Sequence, residues 1–121
     1  MAKLFFDANY FIHFDEVSSI SLVDLFAKHN LYLSTLSCHI YSYINKIKIP
    51  NKVYLDVVNS FSLVSLTNEI LKRALVGPTN DLEDNIQLHS AVEAECDYFL
   101  TNDEDLLKMK FFGKTRIAST I

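Results

Sequence analysis

Residues 81–103 read DLEDNIQLHSAVEAECDYFLTND, and this stretch decides the fold. Its first part predicts a helix from Asp81 to Glu95, because apolar residues recur there at helical spacing. Its second part predicts a strand from Tyr98 to Thr101, a short apolar run that stops just before Asp103. A helix that leads at once into a short buried strand is typical of parallel sheets.

The rest of the chain repeats this alternation. Besides Tyr98 to Thr101, the predicted strands are Lys3 to Phe6, Leu31 to Ser34, Ser62 to Leu66 and Thr115 to Ala118. Besides Asp81 to Glu95, the predicted helices are Ala8 to Phe14, Ser19 to His29, Leu36 to Ile47 (closed by Pro50), Val53 to Asn59 and Asn68 to Val76. We therefore expect an α/β fold, a three-layer α/β/α sandwich with a mostly parallel central sheet of about five strands.

Composition limits the classes of protein that the chain can be. Its 121 residues, 50% of them hydrophobic, are expected to form a single domain over residues 1–121. No run approaches the roughly 20 apolar residues of a membrane span, and the start lacks the zones of a secretory signal, so we expect a cytoplasmic protein. Cys38 and Cys96 have no CxxC partner, which argues against a redox motif or a zinc site.

The net charge of −4 argues against a protein that coats nucleic acid through a broad basic surface. Lysines and an arginine nevertheless cluster locally, at 46–52 and at 108–116, and either cluster can also be an ordinary solvated face. Lys46 and Lys48 are the candidate nucleic-acid contacts.

Two aspartates directly follow predicted strands. Asp7 ends the run FFD, and Asp103 follows Thr101 and Asn102 after the run YFL. Ligands of open α/β sheets bind at the carboxyl ends of the strands, although an Asp in this position can equally cap the next helix. If the two strands are neighbours, the two like charges are costly unless a cation neutralises them.

Asp84 lies within the predicted helix on the face that it shares with Asp81, Leu88 and Ala91, where a structural helix would present an apolar side chain. Glu83, three residues after Asn80, can serve as the capping-box partner, which leaves Asp84 for other work. A first-turn Asp favoured by the helix dipole is the alternative.

The donor chemistry indicates the metal. Oxygen ligands without a recognisable His or Cys set favour Mg²⁺ or Mn²⁺ over zinc. Such an ion can activate water and offset charge on a leaving oxygen, which is what phosphodiester cleavage requires. Asp7, Asp84 and Asp103 are therefore the candidate catalytic and metal-binding residues.

Four segments together resemble the PIN domain family, most closely its bacterial VapC-type toxins: FFDAN, LYLSTLSCHIYSY, DLEDNIQLHSAVEAECDYFLTNDEDL and RIAST. The resemblance covers almost the whole chain. It implies a metal-dependent endoribonuclease that cleaves RNA, commonly dimeric, and often the toxin of a toxin–antitoxin pair with a small antitoxin protein as partner.

The resemblance also assigns roles to individual residues. The family's three matching acids fall on Asp7, Asp84 and Asp103, and Asp81 falls on a plausible outer position. Asn9 and Thr101 match positions that support these acids, and Asn102 lies beside them.

One position departs from the family. The family usually carries a Glu early in the helix after the second strand, and here that position is Ile40, with His39 beside it. Three readings follow: three acids hold the metal with more water, His39 substitutes in part, or the domain binds RNA or a protein without cutting.

Two other interpretations stay open at this point. Tyr10, Phe11, Phe14, Tyr41 and Tyr43 can stack on bases or pack in a core or dimer interface. A phosphoacceptor domain also has acids at strand ends. It requires adjacent acids after the first strand, however, and here Asp7 is followed by an alanine.

Overall fold

A computed structural model describes residues 1–14 and 21–121. The helices are α1 (Ala8–Ile12), α2 (Leu22–Lys28), α3 (Thr35–Ile44), α4 (Lys52–Ser60), α5 (Asn68–Ala74), α6 (Leu82–Glu93) and α7 (Glu104–Met109). The strands are β1 (Lys3–Phe6), β2 (Asn30–Ser34), β3 (Ser62–Val64), β4 (Tyr98–Leu100), β5 (Phe111–Phe112) and β6 (Thr115–Ala118).

The strands form one sheet in the order β3-β2-β1-β4-β6-β5. Every pairing is parallel except that of β5 with β6. This confirms the predicted α/β fold with a mostly parallel sheet. The sixth strand, β5, has only two residues, which is too short to show the alternation from which a strand is recognised.

Several helices end one to three residues before the predicted boundary, as α1, α5 and α6 do. The third helix ends at Ile44 rather than Ile47, because Lys46 adopts a positive φ of 51° that a right-handed helix cannot contain. α7 was not predicted, since six residues hold too few turns for a periodic pattern. Of the helix predicted from Ser19 to His29, the first two residues lie outside the described part of the chain.

Alternation along the strands divides the core between the two faces of the sheet. Leu4 and Phe6 of β1 pack in one hydrophobic cluster, while Phe5 between them packs in another. The first cluster contains Tyr10, Phe11 and Phe14, so core packing, not base stacking, accounts for these three aromatic residues. Tyr43, in contrast, is 78% exposed.

This topology places the beginnings of three helices at one edge of the sheet. β1 and β4 lie side by side and run parallel, so α1 and α7 both begin at the carboxyl edge. α6 begins at this edge as well. It runs back across the sheet, and the chain then enters β4 at the amino end of that strand. Among the described residues, no helix has both the length and the apolarity needed to cross a membrane.

Candidate metal centre

Asp7 is a buried carboxylate at the end of β1, with 4% of its surface exposed. It precedes α1, but its side chain makes no capping hydrogen bond to that helix. Its Oδ2 instead accepts a hydrogen bond of 2.7 Å from the hydroxyl of Thr101. Helix capping therefore does not account for this aspartate.

Thr101 connects Asp7 to Asp103. Its hydroxyl donates to Asp7 and accepts from the backbone N–H of Asp103 at 3.1 Å. Its own backbone N–H donates to the carbonyl of Ala118 at 3.0 Å, so it is bonded to the end of β6 as well. Because the residue is fully buried, this one side chain fixes how the ends of β1 and β4 meet.

Asp103 is exposed and caps α7. Its Oδ1 accepts from the backbone N–H groups of Asp105 at 2.9 Å and Leu106 at 3.2 Å. The capping interpretation therefore holds at this position. Capping uses only Oδ1, and a carboxylate has a second oxygen that can face a ligand.

At the start of α6 the predicted cap is wrong. The N-cap is Asp81, whose Oδ1 accepts from the backbone N–H of Asp84 at 2.9 Å, and not Asn80 with Glu83 as partner. Asp81 is thus committed to the helix through one oxygen. Asp84 lies in the first turn, half-buried, while Leu88 and Ala91 on the same face are buried as predicted.

The acids lie close enough to perturb one another. Burial, with added repulsion from Asp81, Asp7 and Asp103, raises the pKa of Asp84 to about 7. Burial likewise raises the pKa of Asp7 to about 6, against the lowering effect of the Thr101 hydrogen bond. The pKa of Glu83 is raised in the same sense by burial and by Asp81. Three helix or strand ends therefore concentrate negative charge that a cation would stabilise.

The arrangement fits one kind of metal binding and not another. Within residues 1–14 and 21–121, no three His, Cys, Asp or Glu side chains converge closely enough to enclose a metal ion. A site closed entirely by protein ligands does not fit. An ion that keeps several of its waters and takes one or two carboxylates does fit, and this is how Mg²⁺ is usually held.

The remaining predicted site residues lie on the surface. Asn9 on α1 and Asn102 before α7 are exposed, and so is His39 on α3. Ile40, next to His39, is half-buried. Lys46 and Lys48 are exposed beyond the end of α3, where they border an open groove with Tyr43 and Ile44.

Three buried polar residues that sequence reasoning did not identify hold α6 in place. Gln87, with no exposed surface, donates through Nε2 to the hydroxyl of Ser37 at 2.9 Å and so ties α6 to α3. Asn85 donates to the carbonyls of Ala74 and Thr79, both at 2.9 Å. The sequence gives one indication of these residues, because amide side chains stand among the apolar residues of a helix that is predicted to be buried. It does not indicate which groups they bind.

Comparisons with known proteins agree with this architecture. No protein-family model and no curated protein matches the chain. It is similar to a chain in the crystal structure of VapBC2 from Rickettsia felis bound to a DNA fragment from their promoter, with a TM-score of 0.65 and 14% identity. The similarity covers 96% of this chain and 97% of that one. At that identity the likeness shows the fold alone, and the fold is PIN-like.

Proposed function

We propose that this chain is a divalent-metal-dependent endoribonuclease and the toxin component of a toxin–antitoxin pair. The observation that carries the proposal is the acid cluster at the carboxyl edge. Thr101 joins Asp7 to Asp103 there, and burial together with repulsion from the neighbouring carboxylates raises the pKa of Asp84 to about 7. Such perturbed acids in an exposed edge of an α/β sheet are typical of functional sites.

The residues of the cluster take distinct roles in this proposal. One or two of Asp7, Asp84 and Asp103 would bind Mg²⁺ or Mn²⁺ directly, and the remaining acids, with Asp81, would contact it through its waters. A bound ion supplies activated water and charge neutralisation at the leaving oxygen of the phosphodiester. Thr101 orients Asp7 by its hydrogen bond, and it keeps that carboxylate ionised more readily, since the bond lowers the pKa of Asp7.

The partner in this proposal is a small antitoxin protein, an assignment that rests on the likeness in fold to a chain of VapBC2. A cleft of about 350 Å³ offers a place for an apolar segment of such a protein, and its lining includes Phe11, Tyr41, Ile47, Tyr54 and Val57. The homodimer expected from the family resemblance stays a prediction, and sedimentation of the purified chain tests it.

The decisive experiment is cleavage of a mixed structured and single-stranded RNA pool with Mn²⁺, Mg²⁺ or EDTA. We expect cutting with either metal, none with EDTA, and a loss of at least a hundredfold in Asp84→Asn, since general base and metal roles contribute at least that much. Asp56→Asn, which changes an exposed acid on α4 in the same way, is the matched control. Equal activity of Asp84→Asn and Asp56→Asn would contradict the proposal.

A second candidate is a PIN-like module that binds RNA or a protein without cutting. Ile40 favours it, because the family resemblance expects a fourth acid at that position. The variant Ile40→Glu separates the two functions: a parent that cuts slowly and gains rate with the added carboxylate is a weakened enzyme. A parent and an Ile40→Glu variant that both bind RNA and both fail to cut identify the binding module.

A further inference from the structure

A row of side chains crosses three strands at the β5 edge of the sheet. Tyr98 of β4 is in register with Arg116 of β6, and Arg116 is in register with Phe111 of β5. Residues in register project from the same face of a sheet, and neighbouring strands lie about 4.8 Å apart, so Arg116 stands between the two aromatic residues in a row roughly 10 Å wide.

The row faces solvent at its outer end. Phe111 is 56% exposed and Arg116 is exposed, while Tyr98 is half-buried against the first core cluster. The alternate residues, Phe112 and Thr115, turn to the other face, where Phe112 packs on the second cluster and Thr115 is buried. One face of β5 and β6 is therefore used for packing. Phe111 and Arg116 lie on the other face and remain accessible to a ligand.

Positive charge surrounds this row. Residues 108–116 contain four of the chain's 11 Lys and Arg residues and none of its 15 Asp and Glu residues, although the chain as a whole carries −4. Lys110, Lys114 and Arg116 are exposed, and the ion pairs found among the described residues use none of them. Lys108 lies 3.8 Å from Asp105 and is partly neutralised.

We propose that the row Tyr98–Arg116–Phe111, with Lys110 and Lys114, binds single-stranded RNA and guides it to the acid cluster. The cations are complementary to phosphates, and the exposed ring of Phe111 beside an arginine gives an unpaired base a surface to stack on. In a duplex the bases are already stacked on one another, so they are not free to stack on an aromatic side chain. That the strand is RNA rests on the proposed ribonuclease function; the binding of a single strand does not.

The position of the row relative to the acids supports this path. Arg116 precedes Ala118 by two residues on β6, and the carbonyl of Ala118 accepts from the N–H of Thr101. Thr101 lies three residues beyond Tyr98, so the row is roughly 10 Å along the strand from Thr101, a distance that about two nucleotides of an extended strand can span.

The test is fluorescence anisotropy of a fluorescein-labelled 12-nucleotide RNA in EDTA, where no metal-dependent cutting occurs. We expect Phe111→Ala to weaken binding about tenfold, within the range for one stacked base. We expect Lys114→Gln with Arg116→Gln to lower the slope of log affinity against log salt by about 1.4, or about 0.7 for each phosphate contact.

Matched controls use exposed residues outside both basic clusters. Val23→Ala removes another exposed apolar side chain, and Lys28→Gln with Lys72→Gln removes two exposed charges. Circular dichroism establishes that each variant is folded. If the variant that carries Arg116→Gln does not fold, Lys114→Gln alone, in an exposed turn, replaces it in the assay. Any of three results would overturn the proposal. These are equal losses of binding in the control variants, no binding by the parent, and tighter binding of a duplex or of the matching DNA strand. Because the assay needs no cleavage, a chain that binds through this row but never cuts RNA refutes only the ribonuclease.

Discussion

At the residue scale, the site depends on a single hydroxyl. Thr101 makes both of the side-chain bonds that join Asp7 to Asp103. We expect Thr101→Val to lower the free energy of unfolding by about 1 to 3 kcal/mol, the cost of leaving a buried acceptor unpaired. The loss is expected to be larger at pH 8 than at pH 5, because the hydrogen bond favours the ionised form of Asp7.

Urea unfolding at the two pH values measures this effect. Thr101→Ser keeps the hydroxyl and is the matched control. A valine variant as stable as the serine variant at pH 8 would show that the hydrogen bond to Asp7 contributes nothing.

The raised pKa values predict how the metal-free protein responds to pH. Burial raises the pKa of Asp7 to about 6 and that of Asp84 to about 7 in the folded chain, against 3.8 for an unperturbed Asp. Raised values mean that these two groups stabilise the fold fully below about pH 4 and lose that contribution as pH rises to about 7. In EDTA we therefore expect Asp7→Asn with Asp84→Asn to raise the melting temperature over the parent by an amount that grows from pH 4.5 to pH 7.5. Melting curves whose difference stays constant over that range would contradict the assignment.

At the element scale, the beginning of α6 is positioned by one amide. Besides its two donated bonds, Asn85 accepts from the backbone N–H of Thr79 at 2.8 Å and from the Thr79 hydroxyl at 2.7 Å. It thus holds the segment before α6 against the end of α5 and, with it, the turn that carries Asp84. We expect Asn85→Ala to cost about 2 to 3 kcal/mol, as loss of a buried hydrogen-bond network does.

Hydrogen exchange checks whether that cost is local. We expect faster exchange over residues 75–81 in Asn85→Ala, with Asn85→Asp, which keeps the acceptor atoms, between the variant and the parent. Exchange that increases evenly over the whole chain would show that Asn85 stabilises the fold without holding this segment.

The elements also show what a sequence can and cannot predict. β1 and β6 were predicted with the boundaries that the structure has; β1 is a short apolar run that stops at Asp7, and β6 alternates buried and exposed residues. α7 and β5 were missed because their packing partners, not their own periodicity, define them. Asp7 and Asp103 were identified from their place after a strand. The role of Asp81 as a cap was not, since Asn80 and Asp81 are both good capping residues and only the backbone geometry decides between them.

At the scale of the whole molecule, metal binding is expected to act as a stabiliser. An ion that binds only the folded chain raises its stability by an amount that grows with ion concentration. At pH 7.5 we expect Mn²⁺ to raise the melting temperature of the parent and of Asp56→Asn, and to leave that of Asp84→Asn nearly unchanged. A similar rise in all three proteins would indicate binding away from the acid cluster.

The hydrogen bond between Thr101 and Asp7 joins residues 94 positions apart in the chain. β4 lies beside β1, so the strand that completes the site is synthesised long after its neighbour. Contacts of such long separation form only after the intervening chain is available to close the loop. A nascent chain therefore has an incomplete acid cluster until β4 has left the ribosome. In the ribonuclease that we propose, cleavage of RNA is expected only after that point, and a partner that binds the nascent chain earlier would meet it before it can cut.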